Sequence, residues 1–450
     1  MTESSWDVVI IGAGAAGLAA ARTLVEAGRS VLILEARDRV GGRIWTRYEP
    51  DSATPIELGA EFIHGQAPRT FRLLQEVGQG AVDTSAGGHW TLLQGKLQQR
   101  TSDLFDRVQQ ALKTAHLLDK PDIPFQEFLD QGSRYGLSRE AAELARRFAR
   151  GFDAADTTRV SAHSIAEEWV SGGMLDSPQF RPLAGYHSVL TALAGRLDRD
   201  GAHIQLHTVV ETVHWRHGSV DIEGMFVDRP FRVTAPKVII TVPVGVLQLP
   251  KGAIGAIHFS PALEEKRAAL AGIVSGAVLK VVLRFRKPFW EELDGGRYRD
   301  ASFFYSLETT FPTFWTSMPQ RSPFINAWLG GPSAASLSGK SETDIIHEAV
   351  HSLEGMFGGL LPAGAAQLEA AHVHNWQRDP FSAGAYSYVS VGNNDTSRRS
   401  LAAPLKDTLF FAGEATDTEG EAATVTGALQ SGIRAAHEVN ESLAASPEQI

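Results

Sequence analysis

The residues that most constrain the fold of this chain are its first forty. An apolar stretch, Val8–Ile11, runs directly into the glycine pattern Gly12-x-Gly14-x-x-Gly17, and a small-residue segment then leads to a second apolar stretch that ends at Glu35. This order predicts a strand, a tight turn, a helix and a second strand, in which Gly14 lets the backbone approach a pyrophosphate and Glu35 binds a ribose. The segment therefore predicts a dinucleotide site at a helix N-terminus.

The loop after the second strand favours one dinucleotide. Arg39 and Arg43 flank the glycine pair Gly41-Gly42. Glycines permit close backbone approach and arginines offer planar forks for phosphate oxygens, although a solvated loop with scattered arginines would have the same composition. The run strongly resembles the second fingerprint of the flavin-containing amine oxidase superfamily, in which it surrounds FAD. The resemblance implies FAD rather than a nicotinamide dinucleotide.

Composition excludes several other classes of protein. The 450 residues include no cysteine, which excludes disulfides, thiolate catalysis, cysteine-held iron–sulfur clusters and flavin attachment through sulfur. A formal charge of −10 argues against nucleic-acid binding and would suit a cationic substrate. The acidic start, the absence of a long apolar run and the plain C-terminus predict a cytoplasmic protein without a membrane contact. No metal site is predicted, and a monomer and a homodimer both stay open.

Strand and helix patterns alternate at both ends of the chain, whereas helical spacing dominates the first part of its middle. Helices are expected at 105–118 and 141–152, and a strand with alternating apolar residues at 277–285. The predicted fold class is α/β, with a discontinuous Rossmann-like FAD-binding domain and an inserted α+β substrate-binding domain. The expected FAD-binding segments are 1–85, 195–265 and 385–450, and the expected substrate-binding segments are 86–194 and 266–384.

Segments over nearly the whole chain resemble the same superfamily. They are residues 57–65, 151–156, 278–290, 376–388 and 410–428. The last two are most similar to polyamine oxidases and lysine-specific histone demethylases. Histone demethylation itself is not expected, because the chain shows neither a chromatin-binding module nor the long helical hairpin of those enzymes.

Lys280 has two interpretations. By alternation alone, it shares a face with Val278, Val282 and Arg284, which is typical of the solvated side of a half-buried strand. The resemblance implies instead the family's flavin-facing lysine, which holds a water near flavin N5 and is thought to assist the reaction of reduced flavin with oxygen. Positive charge at that place would stabilise the negative charge that develops on oxygen.

The other predicted catalytic residues also come from the resemblance. Tyr386 matches one wall of the family's aromatic cage, unless it is a core tyrosine. Monoamine oxidases have a second tyrosine where Thr424 stands and a flavin-binding cysteine where Ala385 stands, so this chain is more similar to the polyamine oxidase and demethylase branch with non-covalent FAD. His64, unless it is a structural loop histidine, is poised near neutral pH to accept an amine proton or hydrogen-bond a second amine.

The predicted cofactor-binding residues extend beyond the glycine turn. Glu414 is expected to bind hydroxyl or pyrophosphate groups, unless it caps a helix, and the N–H groups at Thr424 and Val425 to donate to the N1–C2=O edge of the flavin. Glu61, Glu419 and Glu421 are expected either to give the entrance a negative potential or to be solvated. The complete predicted set is Gly12, Gly14, Ala15, Ala16, Gly17, Glu35, Ala36, Arg37, Gly42, Arg43, Leu58, Gly59, Ala60, Glu61, Val210, Trp376, Tyr386, Gly413, Glu414, Thr424 and Val425.

The activity implied by the resemblance is FAD-dependent oxidation of a primary or secondary amine to an imine, with oxygen reduced to hydrogen peroxide. Polyamines are the favoured substrates, and aromatic or aliphatic monoamines are the alternative. Two other readings stay open at this point. One is a desaturase or protoporphyrinogen oxidase-like flavoenzyme, which would not need Lys280, and the other is an FAD-binding scaffold without turnover.

Overall fold

The computed structural model describes residues 6–99, 103–171, 178–360, 367–393 and 395–445. The ends of the chain, to which the expectations about targeting signals refer, lie outside these residues. The first sheet takes strands from both ends and from the middle of the chain, all parallel to their neighbours. In spatial order its strands are Ala202–Gln205, Val31–Leu34, Val8–Ile11, Lys237–Ile240 and Leu409–Phe411.

Both faces of the first sheet are buried, which is the reason its strands are continuously apolar. Val8 and Ile10 belong to a core shared with three helices, whereas Val9 and Ile11 belong to a core shared with a second, mostly antiparallel sheet. The three helices are Ala15–Glu26, Tyr186–Asp200 and Val425–Ala445. The strands of the second sheet, in order, are Arg229–Ala235, Ser219–Phe226, Thr208–Arg216 and His258–Ser260.

A seven-stranded sheet, called the large sheet below, has a hydrophobic core of its own. Its strand Val278–Phe285 buries Leu279, Val281, Leu283 and Phe285 against helix Glu342–Phe357. Neighbouring strands are antiparallel, apart from one parallel pair between Ala301–Ser306 and Gly88–Leu93. The order of the sheet is Leu368–Asn375, Val278–Phe285, Phe324–Gly330, Thr313–Thr316, Ala301–Ser306, Gly88–Leu93 and Lys96–Gln99.

The second face of strand Val278–Phe285 is also buried, which decides between the two interpretations of Lys280. Val282 packs against Ile56 and Leu58, and Lys280 is only 1% exposed. The solvated interpretation, drawn from alternation alone, is therefore wrong. The reason is tertiary, because a loop from the N-terminal part of the chain covers the face that carries the lysine.

A helical cluster packs around the buried Trp169 beside the large sheet. The helix expected at 105–118 is shorter in the structure, because His116 has a left-handed backbone conformation that ends the helix at Ala115. The helix expected at 141–152 is found at Arg139–Gly151. The helices of the cluster are Asp103–Ala115, Phe125–Asp130, Arg139–Gly151 and Ala162–Ala166, followed by the wider turn Glu167–Ser171.

The remaining elements connect these layers. Strand Gln179–Pro182 pairs with Ile63–His64 and Ala81–Asp83, and helix Tyr186–Asp200 crosses the expected boundary at 195. The domain boundaries stay a prediction. No helix among the described residues is long and apolar enough to span a bilayer. Other paired strands are Thr46–Arg47 with Ile56–Glu57 and Ile273–Ser275 with Ser387–Val389, and other helices are Pro68–Glu76, Val244–Leu247, Arg267–Gly272, Gly331–Leu337 and Asp395–Ala402.

Two glycine-to-alanine changes test how the first helix packs. A Cβ at Gly17 would lie 2.0 Å from the Gly12 carbonyl oxygen, whereas a Cβ at Gly195, exposed within helix Tyr186–Asp200, would meet nothing within 4 Å. We expect Gly17→Ala to lower the free energy of unfolding by about 1–3 kcal/mol through overpacking. Gly195→Ala should raise it by about 0.5–1 kcal/mol, because alanine favours the helix. Urea titration of both variants measures the difference, and equal effects would contradict the packing argument.

Candidate active site

One cavity of about 2000 Å³ joins the carboxyl edge of the first sheet to the large sheet and the helical cluster. Ligands of open α/β sheets bind at this edge, where the loops after the strands meet. Gly17 is the one predicted site residue that the cavity wall does not include. The wall includes Gly12, Gly14, Ala15, Ala16, Glu35, Ala36, Arg37, Gly42, Arg43, Leu58, Gly59, Ala60, Glu61, His64, Val210, Lys280, Trp376, Tyr386, Gly413, Glu414, Thr424 and Val425.

The glycine turn forms an open cradle at one end of the cavity. Gly12 has a φ of +108°, which favours glycine, and a Cβ at Gly14 would meet nothing within 4 Å. Helix Ala15–Glu26 begins directly after Gly14 without a side-chain cap, so its first N–H groups face the cavity. Gly17 lies outside the cavity wall, and a Cβ there would lie 2.0 Å from the Gly12 carbonyl oxygen, so its role in the cradle is close packing of the helix.

Glu35 is fixed at the end of its strand. Its carboxylate oxygens accept hydrogen bonds from the backbone N–H groups of Ala13 at 2.8 Å and of Arg37 at 2.9 Å. The Arg37 guanidinium is held in turn by Asp379 at 2.6 Å and Ser382 at 2.8 Å. A carboxylate oxygen can accept more than one hydrogen bond, so Glu35 keeps acceptor capacity toward the cavity for hydroxyl groups.

The two arginines that flank Gly41-Gly42 have different roles. Arg39 donates to the backbone carbonyls of Val40, Gly42 and Ile44, and burial lowers its pKa to about 10. Arg39 therefore stabilises the backbone conformation of this loop. Arg43 lies in the cavity wall and pairs with Glu414 at 2.8 Å. Of the pair, Arg43 alone is placed to meet an anionic ligand.

Glu414 is buried in a network of donors. Its carboxylate accepts from Arg43 and from the hydroxyl of Ser387 at 2.7 Å. Burial alone would raise the pKa of Glu414, but Arg43 and Arg398 lower it below its usual value, so the carboxylate is ionised. The alternative that Glu414 caps a helix is not favoured, since its carboxylate accepts from the side chains of Arg43 and Ser387 and from the backbone N–H of Ser387.

Thr424 caps the last helix. Its hydroxyl donates to the Glu421 carbonyl at 2.7 Å and accepts from the Gly427 N–H at 3.0 Å. The hydroxyl is therefore engaged in structure, and what Thr424 offers the cavity is the start of a helix. The N–H groups of Val425 and Thr426, which follow it and line the cavity, are among those that an α-helix leaves without an intrahelical acceptor.

The loop that contains Leu58 and Gly59 forms the wall between the two ends of the cavity. Trp376 donates from Nε1 to the Leu58 carbonyl at 3.0 Å. A Cβ at Gly59 would lie 1.9 Å from the Arg43 carbonyl oxygen and 3.2 Å from the Trp376 ring. Only glycine fits between these groups, so the loop lies close against both.

A buried charge cluster holds Lys280 at the middle of the cavity. Its Nζ lies 2.6 Å from a Glu61 carboxylate oxygen and 5.3 Å from the centre of the Trp315 ring. Arg181 Nε lies 2.8 Å from the other oxygen, to which Trp315 donates at 3.0 Å. Burial would raise the pKa of Glu61, but Lys280 and Arg181 lower it below its usual value. The alternative that Glu61 is solvated is wrong, because the lysine and arginine share its charge inside the protein.

His64 lies in the cavity wall but does not titrate near neutral pH. Its Nδ1 is 3.3 Å from the Gln179 amide nitrogen, and its ring packs edge-on against Phe152 with centroids 5.6 Å apart. Burial lowers its pKa to about 4. The expectation of a histidine poised near neutral pH is therefore corrected: the ring is neutral at pH 7, because its aromatic surroundings do not solvate the imidazolium.

Tyr386 lines the cavity, and its hydroxyl group is engaged in a hydrogen bond. Its OH donates to the Phe152 carbonyl at 2.5 Å, and burial together with nearby carboxyl groups raises its pKa well above the usual value. The ring is thus oriented by a hydrogen bond and stays neutral. Ala385, beside it, is buried and has only a methyl side chain.

Sequence reasoning missed two features of the cavity wall. The first is a pair of carboxyl groups, Asp153 and Glu168, of which only Asp153 lies in a segment quoted for the resemblance. The second is a row of aromatic rings, whose members come from the loop before Ile63 and from three separate strands. These rings are Phe62, His89, Phe303, Tyr305 and Trp315.

The charge cluster allows a matched pair of substitutions. Glu61→Gln leaves Lys280 and Arg181 buried together without a carboxylate, and we expect it to lower the free energy of unfolding by about 3–5 kcal/mol. Lys280→Met should cost clearly less, because Glu61 keeps Arg181 and Trp315 as partners. Urea titration followed by tryptophan fluorescence compares the two. A larger loss for Lys280→Met would show that the lysine, not the carboxylate, holds the cluster together.

Known proteins similar to this chain include some that are much longer than it and some of nearly the same length. Lysine-specific histone demethylase 2 of Homo sapiens is 27% identical over 96% of this chain and 53% of its own length. The chain therefore spans about half the length of the curated demethylases that it matches. Polyamine oxidase 2 of Arabidopsis thaliana is 28% identical over 97% of this chain and 89% of its own.

Solved structures support the fold. Putrescine oxidase bound to putrescine superposes with a TM-score of 0.80 at 22% identity, covering 97% of this chain and 99% of its own. Cyclohexylamine oxidase from Brevibacterium oxydans superposes with a TM-score of 0.78 at 21% identity, and the match covers 98% of this chain and 100% of that protein. A family model described as flavin containing amine oxidoreductase matches residues 15–440. Because that match covers nearly the whole chain, the protein belongs to the flavin-containing amine oxidoreductase family.

Proposed function

We propose that this chain is an FAD-dependent oxidase of amines with more than one amino group, and that it passes the electrons to oxygen. The overall reaction takes one amine, one oxygen and one water to an aldehyde, the released amine and hydrogen peroxide. The observation that carries the proposal is the single cavity, which joins a dinucleotide cradle at one end to a buried lysine, aromatic rings and carboxyl groups at the other. Putrescine oxidase and polyamine oxidase are the relatives that suggest the substrate class.

FAD is the cofactor that family membership confirms, and the cavity wall fits it. The open face of Gly14 and the start of helix Ala15–Glu26 suit the pyrophosphate, and Glu35 suits ribose hydroxyls. Arg43 adds positive charge, and the free N–H groups at Val425 and Thr426 suit the electron-rich edge of the flavin. The chain has no cysteine for a sulfur link. The first sheet and its helices would form the FAD domain, and the large sheet with the helical cluster the substrate domain.

When bound, the flavin would accept a hydride equivalent from the carbon next to the nitrogen and deliver two electrons to oxygen. The chain's own residues would position the amine, exclude water from around it and polarise the reacting atoms. Tyr386, fixed by its bond to Phe152, presents a ring face to the amine, and neutral His64 offers a hydrogen bond rather than a charge. Lys280, paired with Glu61 at 2.6 Å, would place a positive charge in the wall where reduced oxygen would gain negative charge.

The first test is anaerobic bleaching of the visible flavin absorbance by a panel of amines. The panel compares two groups of amines: spermine, spermidine, N-acetylated polyamines and putrescine in the first, and benzylamine, tyramine and L-amino acids in the second. We expect the polyamines and putrescine to bleach the flavin fastest, with peroxide formed when air is admitted. Bleaching by the monoamines alone would favour a monoamine oxidase. A yellow protein that none of them reduces would contradict the proposal and favour a desaturase-like enzyme or a scaffold.

The pH dependence of kcat/KM separates titration of the substrate from titration of the protein. Only a neutral amine can give up a hydride, and its fraction rises about tenfold per pH unit below the amine pKa. We expect kcat/KM to rise smoothly from pH 6 toward the amine pKa without a step near pH 6.5, since the pKa of His64 is lowered to about 4. His64→Gln should keep the shape of the profile. A step that disappears in this variant would show that His64 titrates during turnover.

A further inference from the structure

The Glu61 carboxylate in the middle of the cavity is engaged on both of its oxygens. Lys280 Nζ lies 2.6 Å from one oxygen, while Trp315 Nε1 donates to the other at 3.0 Å and Arg181 Nε lies 2.8 Å from it. Although Glu61 lines the cavity, it is only 7% exposed. The carboxylate therefore uses most of its acceptor capacity on groups of the protein itself.

Arg181 anchors this carboxylate to the large sheet. Its guanidinium donates to the backbone carbonyls of Ser317 at 3.1 Å and Met318 at 3.2 Å, directly after the strand that carries Trp315. One short segment of the chain thus provides the indole that donates to Glu61 and the carbonyls that hold Arg181. Because both partners are tied to that segment, the Glu61 carboxylate is a fixed point in the cavity wall.

Lys280 keeps one donor for the cavity. An ammonium group has three N–H donors, of which one faces Glu61 and a second lies 3.4 Å from the Gly59 carbonyl oxygen. The third N–H meets no acceptor of the described residues, and Lys280 lines the cavity. A lysine with a free end samples many positions on its flexible stem, whereas here the strand holds one end of the side chain and Glu61 holds the other. The remaining N–H is therefore directed.

The other ionisable groups near Lys280 do not replace Glu61. The Glu57 carboxylate accepts two hydrogen bonds of 2.7 Å from the strand and helix around it, and burial raises its pKa to about 7. His374 is level with Lys280 on the neighbouring strand, but its Nε2 lies 3.0 Å from Asp379. Among the described residues, Glu61 is thus the carboxylate at hydrogen-bond distance from the lysine.

We propose that Glu61 is a positioning residue that holds the Lys280 ammonium group in place for the reduction of oxygen. Arg181 and Trp315 contribute indirectly, because they fix the carboxylate. In the proposed reaction, oxygen takes two electrons and one proton from the reduced cofactor and a second proton from solvent, which gives hydrogen peroxide. The lysine keeps its proton, and its fixed charge stabilises the negative charge on oxygen. This inference rests on the proposed oxidase function and adds to it the group that sets where the charge stands.

Two substitutions of Glu61 separate position from charge. Glu61→Asp keeps a carboxylate but draws it back by one methylene, and we expect the rate constant for reaction with oxygen to fall about 3- to 10-fold. Glu61→Gln leaves two buried cations without a carboxylate, which favours a neutral lysine, so the fall should be about 10- to 100-fold at pH 9. Because acid returns the proton, the loss should be smaller at pH 6. Stopped-flow mixing with oxygen, after reduction by one equivalent of dithionite, measures these rates without any amine.

A double variant shows whether Glu61 acts through the lysine. In a Lys280→Met background, Glu61→Gln should slow the oxygen reaction no further, because the group that Glu61 positions is absent. Glu49→Gln is the matched control: it breaks the ion pair with Arg284, which lies on the same strand as Lys280 but outside the cavity wall, and it should leave the oxygen rate unchanged. Losses that multiply in the double variant would overturn the proposal. So would wild-type oxygen rates in both Glu61 variants.

A spectroscopic readout does not depend on turnover. The visible absorbance of bound oxidised flavin responds to a change of charge beside it, so Glu61→Gln should show a shift between pH 6 and 9 that its Lys280→Met double variant lacks. Titration of Glu57 is common to every variant and cancels in the comparison. The same shift in the double variant would overturn the proposal. If Glu61→Gln does not retain FAD, Glu61→Asp decides, and a wild-type oxygen rate in that variant overturns the proposal. Failure of all amines to bleach the flavin would instead contradict the proposed substrate class.

Discussion

The arrangement of this protein depends on how closely its first and last helices approach each other and the first sheet. A Cβ at Gly17 would lie 2.0 Å from the Gly12 carbonyl oxygen, and a Cβ at Gly432 would lie 2.2 Å from the Ala16 carbonyl oxygen. Glycine at both positions lets helix Val425–Ala445 lie directly on helix Ala15–Glu26. As a result, two helix N-termini from opposite ends of the chain point into one cavity. Their unpaired N–H groups give that end of the cavity its affinity for negative charge.

The charged and polar groups in the cavity wall differ from one part of the cavity to another. Helix starts and Arg43 favour phosphate at the nucleotide end. In the middle, Glu61 is shared by Lys280 and Arg181, so that one carboxylate balances two cations and leaves a net positive charge. Two carboxyl groups, Asp153 and Glu168, line another part of the wall, and burial raises the pKa of both. The two ends of the cavity therefore differ in the charged groups that they offer a ligand.

The glycine turn and the acid after the second strand lie together at one end of the cavity, as their pattern predicts, because a dinucleotide cradle is local. Gly12, Gly14 and Glu35 lie within 24 residues, and their spacing alone brings them to one edge. Lys280 was predicted through resemblance but not through alternation, since the loop that buries it comes from more than 200 residues earlier. The partners of Glu61, the cap formed by Thr424 and the lowered pKa of His64 could not be predicted, since each depends on which distant side chains pack together.

By itself, the sequence determined the local elements and the chemistry they offer: the parallel strands, the helix that begins at the glycine turn, the lack of a sulfur nucleophile and the family to which the chain belongs. The tertiary structure decided which side chains share an environment. It placed Asp153 beside Glu168, and Lys280 beside Glu61 and Trp315. The physical reason is that strand and helix periods follow from neighbouring residues, whereas burial and the pairing of charges follow from contacts between segments far apart in the chain.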